Sequence, residues 1–355
     1  MPSVVSVHAS LTRLIAGGAY AGDRLPPERE LGEVLGASRT TIRRVLARLE
    51  SEGIVSRADN GRVQILRGSA LGRMRRIAFV APAFESAGTA RWESALRRVV
   101  TTRHPDLHVA SLRFVSWEDP LFNEVKRGFE GVFILAGSQP ISPRALTVLT
   151  GDGAAVISLE NDLSSSGIPS LCLYAPSCVQ TVLDQVYAHG HRRIGWLNTQ
   201  PESAVILDLQ QAYEGWMQTH QCRGPLISEP VVPFEDPTPR ARDLMRRCLQ
   251  QHPEVTVWLC SVIQSARGAI RAIHDRGQIA GREVSVVTID GEHQEDLNVP
   301  SLACAATVDP DPYLALCLNW MLAGESRMWT GPLLVQPAKN GFHSGESLAR
   351  VVASA

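Results

Sequence analysis

The 355-residue chain has no run of roughly 18 uninterrupted apolar residues, the length a membrane-spanning helix needs, and 20% of its residues are charged. No membrane partner is expected. Its opening residues, MPSVVSVHASLTRL, carry no basic leader ahead of an apolar segment and a small-residue cleavage site, which predicts a cytoplasmic protein. Cysteine is sparse. The seven present, at 172, 178, 222, 248, 260, 304 and 317, are odd in number and show neither CxxC nor a Cys/His ligand spacing, so they read as reduced, buried thiols. No metal site and no cofactor motif is found. Neither GESL nor NTQPES makes a nucleophile elbow, and no GxGxxG follows the first strand of the main body. His189 and His191 in AHGHRR belong to a helix end and its turn, so an enzyme is not expected.

Lysine is nearly missing, with Lys126 and Lys339 the only two. Arginine takes its place, unevenly. Residues 1–76 hold thirteen arginines against seven carboxylates, a charge of +6, so a net charge of −1 for the whole chain leaves −7 for the rest. A small basic end joined to a larger acidic body suggests that one end meets a polyanion and the other does not. At this length two or three cores are expected.

Three helical patterns fill residues 4–51. The first, Val4–Ala16, spaces Val4, Val7, Leu11, Leu14 and Ile15 helically and stops at Gly17-Gly18. The second follows Pro27 through Leu31, Val34 and Leu35 to Gly36. Ser38 then caps a third, with Ile42, Val45, Leu46 and Leu49 on one face and Arg39, Thr40 and Arg43 on or beside the other. Two short strand patterns around Ala58-Asp59-Asn60-Gly61 complete a winged helix-turn-helix. Arginine can grip guanine O6 and N7 in a bidentate contact, and a recognition helix presents its N-terminal end to the major groove. The plainer account, a solvated charged face, suits Arg44 and Arg48 with Glu50 and Glu52 nearby. Residues 68–75 read as a linker.

Beyond it, strand-like runs alternate with helical ones. Strands are predicted at 77–82, 108–114, 131–137, 154–160, 170–174, 193–198, 255–261 and 284–290, and helices at 91–100, 179–189, 207–220 and 266–276. This is an α/β body with buried parallel sheets.

The segment GAYAGDRLPPERELGEVLGASRTTIRRVLARLESEGIVSRADNGRVQIL resembles the winged helix of GntR-family transcription regulators over residues 4–66. Gly22, Asp23, Leu25, Pro26, Glu28, Arg29, Leu31, Ser38, Arg39, Thr40, Arg43, Leu46, Leu49 and Gly53 carry the likeness, while Gly32 and Val45 stand where that family favours alanine. The resemblance implies double-stranded operator DNA as partner. It puts Arg29, Arg39 and Arg43 on bases and phosphates, joined by Ser38 and by Thr40 and Thr41 on phosphate. In the wing it brings Asn60, Gly61 and Arg62 toward the minor groove. Asn-Gly also serves an ordinary hairpin turn.

GHRRIGWLNT with AYEGWMQTH, residues 253–292, and LACAATVDPD followed by PLLVQPAKNGFHSGES resemble the effector domain of LacI-family repressors and sugar-binding periplasmic proteins. The whole plan is similar to arabinose-responsive repressors of the AraR type. It implies an N-terminal winged helix-turn-helix (1–67), then a two-lobed periplasmic-binding-protein-like α/β domain with parallel sheets over 76–355. The expected lobes are 76–189 with 303–328 and 190–302 with 329–355, the crossovers lying near 189, 303 and 329. A small molecule, a sugar or sugar derivative, would sit between them at the carboxyl ends of the strands. The strand-end positions are Phe84, Glu85, Ser138, Gln139, Glu160, Asn161, Ser261 and above all Asp290, which falls where the family's aspartate takes sugar hydroxyls.

Two departures matter. Ala212 replaces the family's arginine and Val262-Ile263 replaces its Asn-Asp pair, so either Gln211, Gln264, Trp216 or Phe234 hold the ligand, or it is no typical free sugar. The implied function is a homodimeric repressor of carbohydrate-related genes under effector control. The alternatives are a regulator with a non-sugar or absent effector, and a metabolic binding protein or enzyme with a vestigial DNA-binding domain.

Overall fold

A computed structural model describes residues 4–16, 20, 24–52, 54–58, 62–66, 75–83, 86–137, 140–233 and 235–351. Two compact units result. One comprises Met1–Ile77 with Val100–Ala110, the other Ala78–Val99 with Ser111–Ala355.

In the first unit α1 (Val4–Ala16), α2 (Glu28–Leu35) and α3 (Arg39–Ser51) precede β1 (Val55–Arg57) and β2 (Val63–Ile65), which pair antiparallel with Ser56 opposite Gln64. α2 ends at Gly36, whose φ of 61° is the left-handed conformation that glycine adopts without a Cβ penalty. α3 starts as its sequence predicts: Ser38 Oγ accepts the Thr41 amide at 3.2 Å. Leu11, Leu31, Ile42, Val45, Leu46 and Leu49 share one buried core, so the apolar stripes face inward and the arginines outward.

After these, β3 (Arg75–Pro82), α4 (Ala87–Arg103), β4 (Leu107–Phe114), α5 (Leu121–Gly128), β5 (Gly131–Leu135), α6 (Pro143–Thr150), β6 (Ala155–Leu159) and β7 (Ser170–Leu171) lead into α7 (Ser177–Ala188). There follow β8 (Ile194–Asn198), α8 (Ala204–Thr219), β9 (Leu226–Ser228), α9 (Pro237–Gln251), β10 (Val257–Cys260), α10 (Ile263–His274) and β11 (Ser285–Thr288). The chain closes with β12 (Ala303–Ala305), α11 (Asp311–Leu322), β13 (Leu334–Val335) and β14 (Phe342–His343). The strands form two six-stranded sheets, ordered β13-β7-β6-β5-β3-β4 and β14-β12-β11-β10-β8-β9. β8 to β12 pair parallel, as do β5, β6, β7 and β13, whereas β14 runs antiparallel to β12.

The lobe boundaries differ from those expected. Val179, Val182, Leu183 and Val186 of α7 pack with Ile194, Trp196 and Leu259 of the second sheet, so the first crossover precedes residue 177 rather than falling near 189. Ala303 of β12 pairs with Val287, keeping 303–305 in the second sheet, and β13 returns to the first through Leu334 opposite Ser170. The second crossover therefore follows 305, and the third lies between 335 and 342. Arg75, assigned above to the linker, begins β3; residues 68–74 lie outside the described residues.

Candidate functional site

On α3 the residues split by exposure. Arg39 and Thr40 are exposed, and the Arg43 side chain is 68% exposed with its Nε donating to Glu28 Oε2 at 2.8 Å. Arg29 is also open, 3.6 Å from Glu33 one turn along α2. Thr41 is half-buried and its hydroxyl lies 2.9 Å from Ser38 Oγ, so of the three hydroxyls expected on DNA those of Ser38 and Thr41 meet at the helix cap, while Thr40 is exposed. Arg48 pairs with Glu52 at 2.9 Å, in keeping with a solvated, paired face there. Arg62 is exposed beside β2, whereas Asn60 and Gly61 lie outside the described residues. Among the described residues the unit thus presents Arg29, Arg39, Thr40 and Arg43 from α2 and α3, the residue types that read base edges and phosphate.

The second unit gathers charge at the carboxyl ends of its strands. Asp290 follows β11, and its Oδ1 accepts the Ile263 amide at 2.8 Å. That amide opens α10. With Val262 at the helix N-cap and unable to cap it, the aspartate two residues beyond the neighbouring strand supplies the acceptor. Burial nevertheless raises the Asp290 carboxyl to about 7, with the Glu292 carboxylate adding to the rise, while the Ile263 amide and Arg91 oppose it.

Glu160, just after β6, sits at φ 60°, a conformation that costs a non-glycine residue on the order of 1 kcal/mol. Its Oε2 accepts the Leu173 amide at 3.2 Å, and its Oε1 stands 4.0 Å from Arg91 Nη2, an ion pair at the limit of its range. Burial raises the Glu160 carboxyl against the pull of Arg91 and two backbone amides. For Arg91 burial works against the charge, but Tyr174, Glu160 and Glu292 more than offset it and leave the guanidinium more firmly protonated. The guanidinium lies 5.9 Å from the Tyr174 ring centroid. Burial likewise pushes the Tyr174 hydroxyl up. Glu292 and His293 also have positive φ, 51° and 58°. Arg91 and Glu160 come from elements of the first sheet, Tyr174 from the first crossover, and Asp290 and Glu292 from the second sheet, so both lobes contribute to one polar cluster.

Not every expected residue joins it. Ser261 is buried and donates to Asn198 Oδ1 at 2.7 Å, while Asn198 Nδ2 donates to Ser228 Oγ at 3.0 Å; this network ties the ends of β8, β9 and β10 together. Trp216 is no ligand platform. It stacks on His220 at 3.9 Å and donates to Asp184 at 2.8 Å, which places it in the α7–α8 contact. Asn161 donates to the Gly137 carbonyl at 3.2 Å, Gln211 is exposed on α8, and Gln264 is half-buried in the first turn of α10. Phe84, Glu85, Ser138, Gln139 and Phe234 lie outside the described residues. Arg91, Tyr174 and Glu292 were missed. A strand-end rule looks at the loop after a strand, whereas Arg91 lies on the helix that follows, Tyr174 in the first crossover, and Glu292 two residues past the aspartate it flanks.

Buried His191 donates from Nε2 to the Ala349 carbonyl at 3.0 Å, its Nδ1 lies 2.7 Å from Thr256 Oγ1, and burial lowers its pKa, so it pins the turn after α7 to the segment around Ala349. The seven cysteines are buried free thiols, and burial pushes Cys172 and Cys178 up to about 12. No helix among the described residues is long and apolar enough to cross a membrane.

Residues 4–65 match the family described as bacterial regulatory proteins, gntR family, and residues 124–310 match periplasmic binding proteins and sugar binding domain of LacI family. Among solved structures, the chain is similar to a LacI family transcriptional regulator from Arthrobacter sp. FB24 in complex with lactose. The two are 17% identical, the match covers 77% of this chain and 99% of that one, and the TM-score is 0.63. A LacI family regulator CCPA from Weissella paramesenteroides with bound sucrose gives 17% identity, coverage of 78% and 100%, and a TM-score of 0.64. The trehalose repressor from Escherichia coli gives 13%, 76% and 100%, and 0.60. At these identities the likeness is one of fold.

Proposed function

The chain belongs to the family of periplasmic binding proteins and sugar binding domains of LacI type and carries a gntR-family DNA-binding domain, and we propose that it is a cytoplasmic repressor whose hold on operator DNA is set by a small molecule between the two lobes. The cluster of Arg91, Glu160, Tyr174, Asp290 and Glu292 carries the effector half of this reading. It joins residues of both sheets, so a ligand held there favours one arrangement of the lobes, and differential affinity for two arrangements is what control requires.

Three carboxyl groups around one guanidinium offer mainly acceptors. They suit a neutral ligand that donates hydroxyl hydrogens and disfavour a phosphorylated one, whose charge would meet Glu160, Asp290 and Glu292. On the DNA side the protein acts as a homodimer. Two α3 helices then enter successive major grooves, roughly 34 Å apart, on a pseudo-palindromic site. Sugar-bound LacI-family regulators of the same fold support a sugar as the ligand class.

The test is a thermal-shift screen of the full chain against neutral mono- and disaccharides and their phosphates. Any hit is then added to a mobility-shift assay on a duplex enriched from a random pool. A neutral sugar that raises the melting temperature and weakens DNA binding about 5- to 150-fold is expected. A preference for phosphates refutes the effector chemistry. Enrichment of no duplex refutes the regulator.

A further inference from the structure

The three crossovers that join the lobes occupy residues 172–176, 306–310 and 336–341. Two hydrogen bonds lace them together. Asn340, in the third crossover, is 1% exposed, and its Nδ2 donates to the Leu173 carbonyl of the first at 2.9 Å. One residue on, the Gly341 carbonyl accepts the Ala306 amide of the second at 2.8 Å. The third crossover is thus bonded to both of the others.

The first crossover is held from the polar cluster as well. Leu173 donates its amide to Glu160 Oε2 at 3.2 Å, so a cluster carboxylate grips one side of this residue and the third crossover the other. A continuous line of bonds runs from Glu160 through Leu173, Asn340 and Gly341 to Ala306. Asn340 is otherwise a poor fit for its place. Its Oδ1 is buried with no hydrogen-bond partner among the described residues, and an orphaned acceptor is costlier than an apolar side chain in the same space. Packing does not call for an asparagine there, whereas the bond to Leu173 does. Three separate strands can bend in turn, but strands bonded at one point rearrange together.

We propose that Asn340 is a positioning residue that makes the three crossovers a single hinge and links that hinge to the effector cluster through Glu160. A ligand group that engages the Glu160 carboxylate draws it from the Leu173 amide, and all three crossovers respond. This rests on the reading of the cluster as the effector site and adds how its occupancy reaches the lobes.

The experiment follows hydrogen exchange of the full chain, resolved to single amides by mass spectrometry with fragmentation, in wild type, Asn340→Ala, Glu160→Ala and the double variant. Asn340→Val, which lacks the donor but keeps more bulk, takes the place of the alanine variant if that one does not fold. In Asn340→Ala the Ala306 amide should exchange about fivefold faster, although its own acceptor is untouched, while the α9 amides stay as they were. Glu160→Ala should speed the same amide and should add nothing once Asn340 is replaced. Three results would overturn the proposal: an unchanged Ala306 amide in either single variant, an equal rise throughout the second unit, or single-variant factors that simply multiply in the double variant. The measurement uses neither DNA nor ligand, so such a result refutes the hinge alone. A sugar screen without a hit would instead refute the effector reading beneath it.

Discussion

Replacing Asp290 by asparagine isolates one charge of the polar cluster shared by the two sheets. Asparagine keeps a carbonyl oxygen to accept the Ile263 amide, now at 2.8 Å, and removes only the ionisable proton. The carboxyl titrates near 7 in the fold against 3.8 for a free aspartate, a gap of about three pH units at about 1.4 kcal/mol each. A pKa raised by folding gives stability that is fully present below about pH 4 and is lost as the pH climbs through about 7. The whole effect approaches 4 kcal/mol. Asp290 retains some exposure and its titration is coupled to that of Glu160, so we expect about 2 kcal/mol of it between pH 5 and pH 7.5.

Wild type should therefore lose stability over that interval while Asp290→Asn does not, and the difference between them should grow by about 2 kcal/mol. Urea unfolding followed by tryptophan fluorescence reads this directly, because all seven tryptophans lie in the second unit. A difference that stays constant within about 0.5 kcal/mol from pH 5 to 7.5 would show that Asp290 is already ionised there, and would refute the account of the cleft as a set of buried, mutually opposed carboxyls.

The first unit provides two further tests. Arg39→Ala should weaken binding to the enriched duplex by about 1–3 kcal/mol and relax its sequence preference, whereas Arg48→Ala, which breaks only the pair with Glu52, should change it by less than about 0.5 kcal/mol in fluorescence anisotropy. Ser38→Ala removes the acceptor for the Thr41 amide and should cost about 1 kcal/mol, read as earlier exchange of the α3 amides by hydrogen exchange. In the second unit, a Cβ at Gly268 would stand 2.5 Å from the Thr238 carbonyl and 2.7 Å from Ala241 Cβ, forcing α9 and α10 apart. Gly268→Ala should then lower the urea midpoint of the tryptophan transition, at a cost of about 1–3 kcal/mol despite alanine's better helix propensity. An unchanged midpoint would mean the helices yield freely.

Much of the DNA-facing unit was legible in the chain because its signals are local. The apolar spacing of Val4–Ala16 set α1 at its observed bounds, and Ser38 marked the start of α3 because a hydroxyl at that point satisfies an amide three residues on. Arg48 and Glu52, one turn apart, could be paired on paper. The link between Glu28 and Arg43 could not, since fifteen residues and a helix-helix turn separate them. Nor could it be read from the chain that the Thr41 hydroxyl lies 2.9 Å from Ser38 Oγ, within the cap.

In the larger unit, alternation of apolar runs with helical periods determined the α/β class, and most strand centres fell where the runs lay. Sheet membership did not follow from periodicity. β12, β13 and β14 are two or three residues long and too short to carry a period, and what assigns them is hydrogen bonding to β11, β7 and β12. The crossovers moved accordingly. The amino-acid sequence by itself determined the DNA-reader class, the α/β body and the place of Asp290 just past a strand, because each depends on neighbours a few positions away or on the end of one strand. Only the tertiary structure decided that Arg91 and Tyr174 face that aspartate, that Trp216 belongs to a helix contact, and that Asn340 reaches Leu173 in another crossover. Those are choices of partner between distant segments, and a pattern of spacing along the chain holds no term for them.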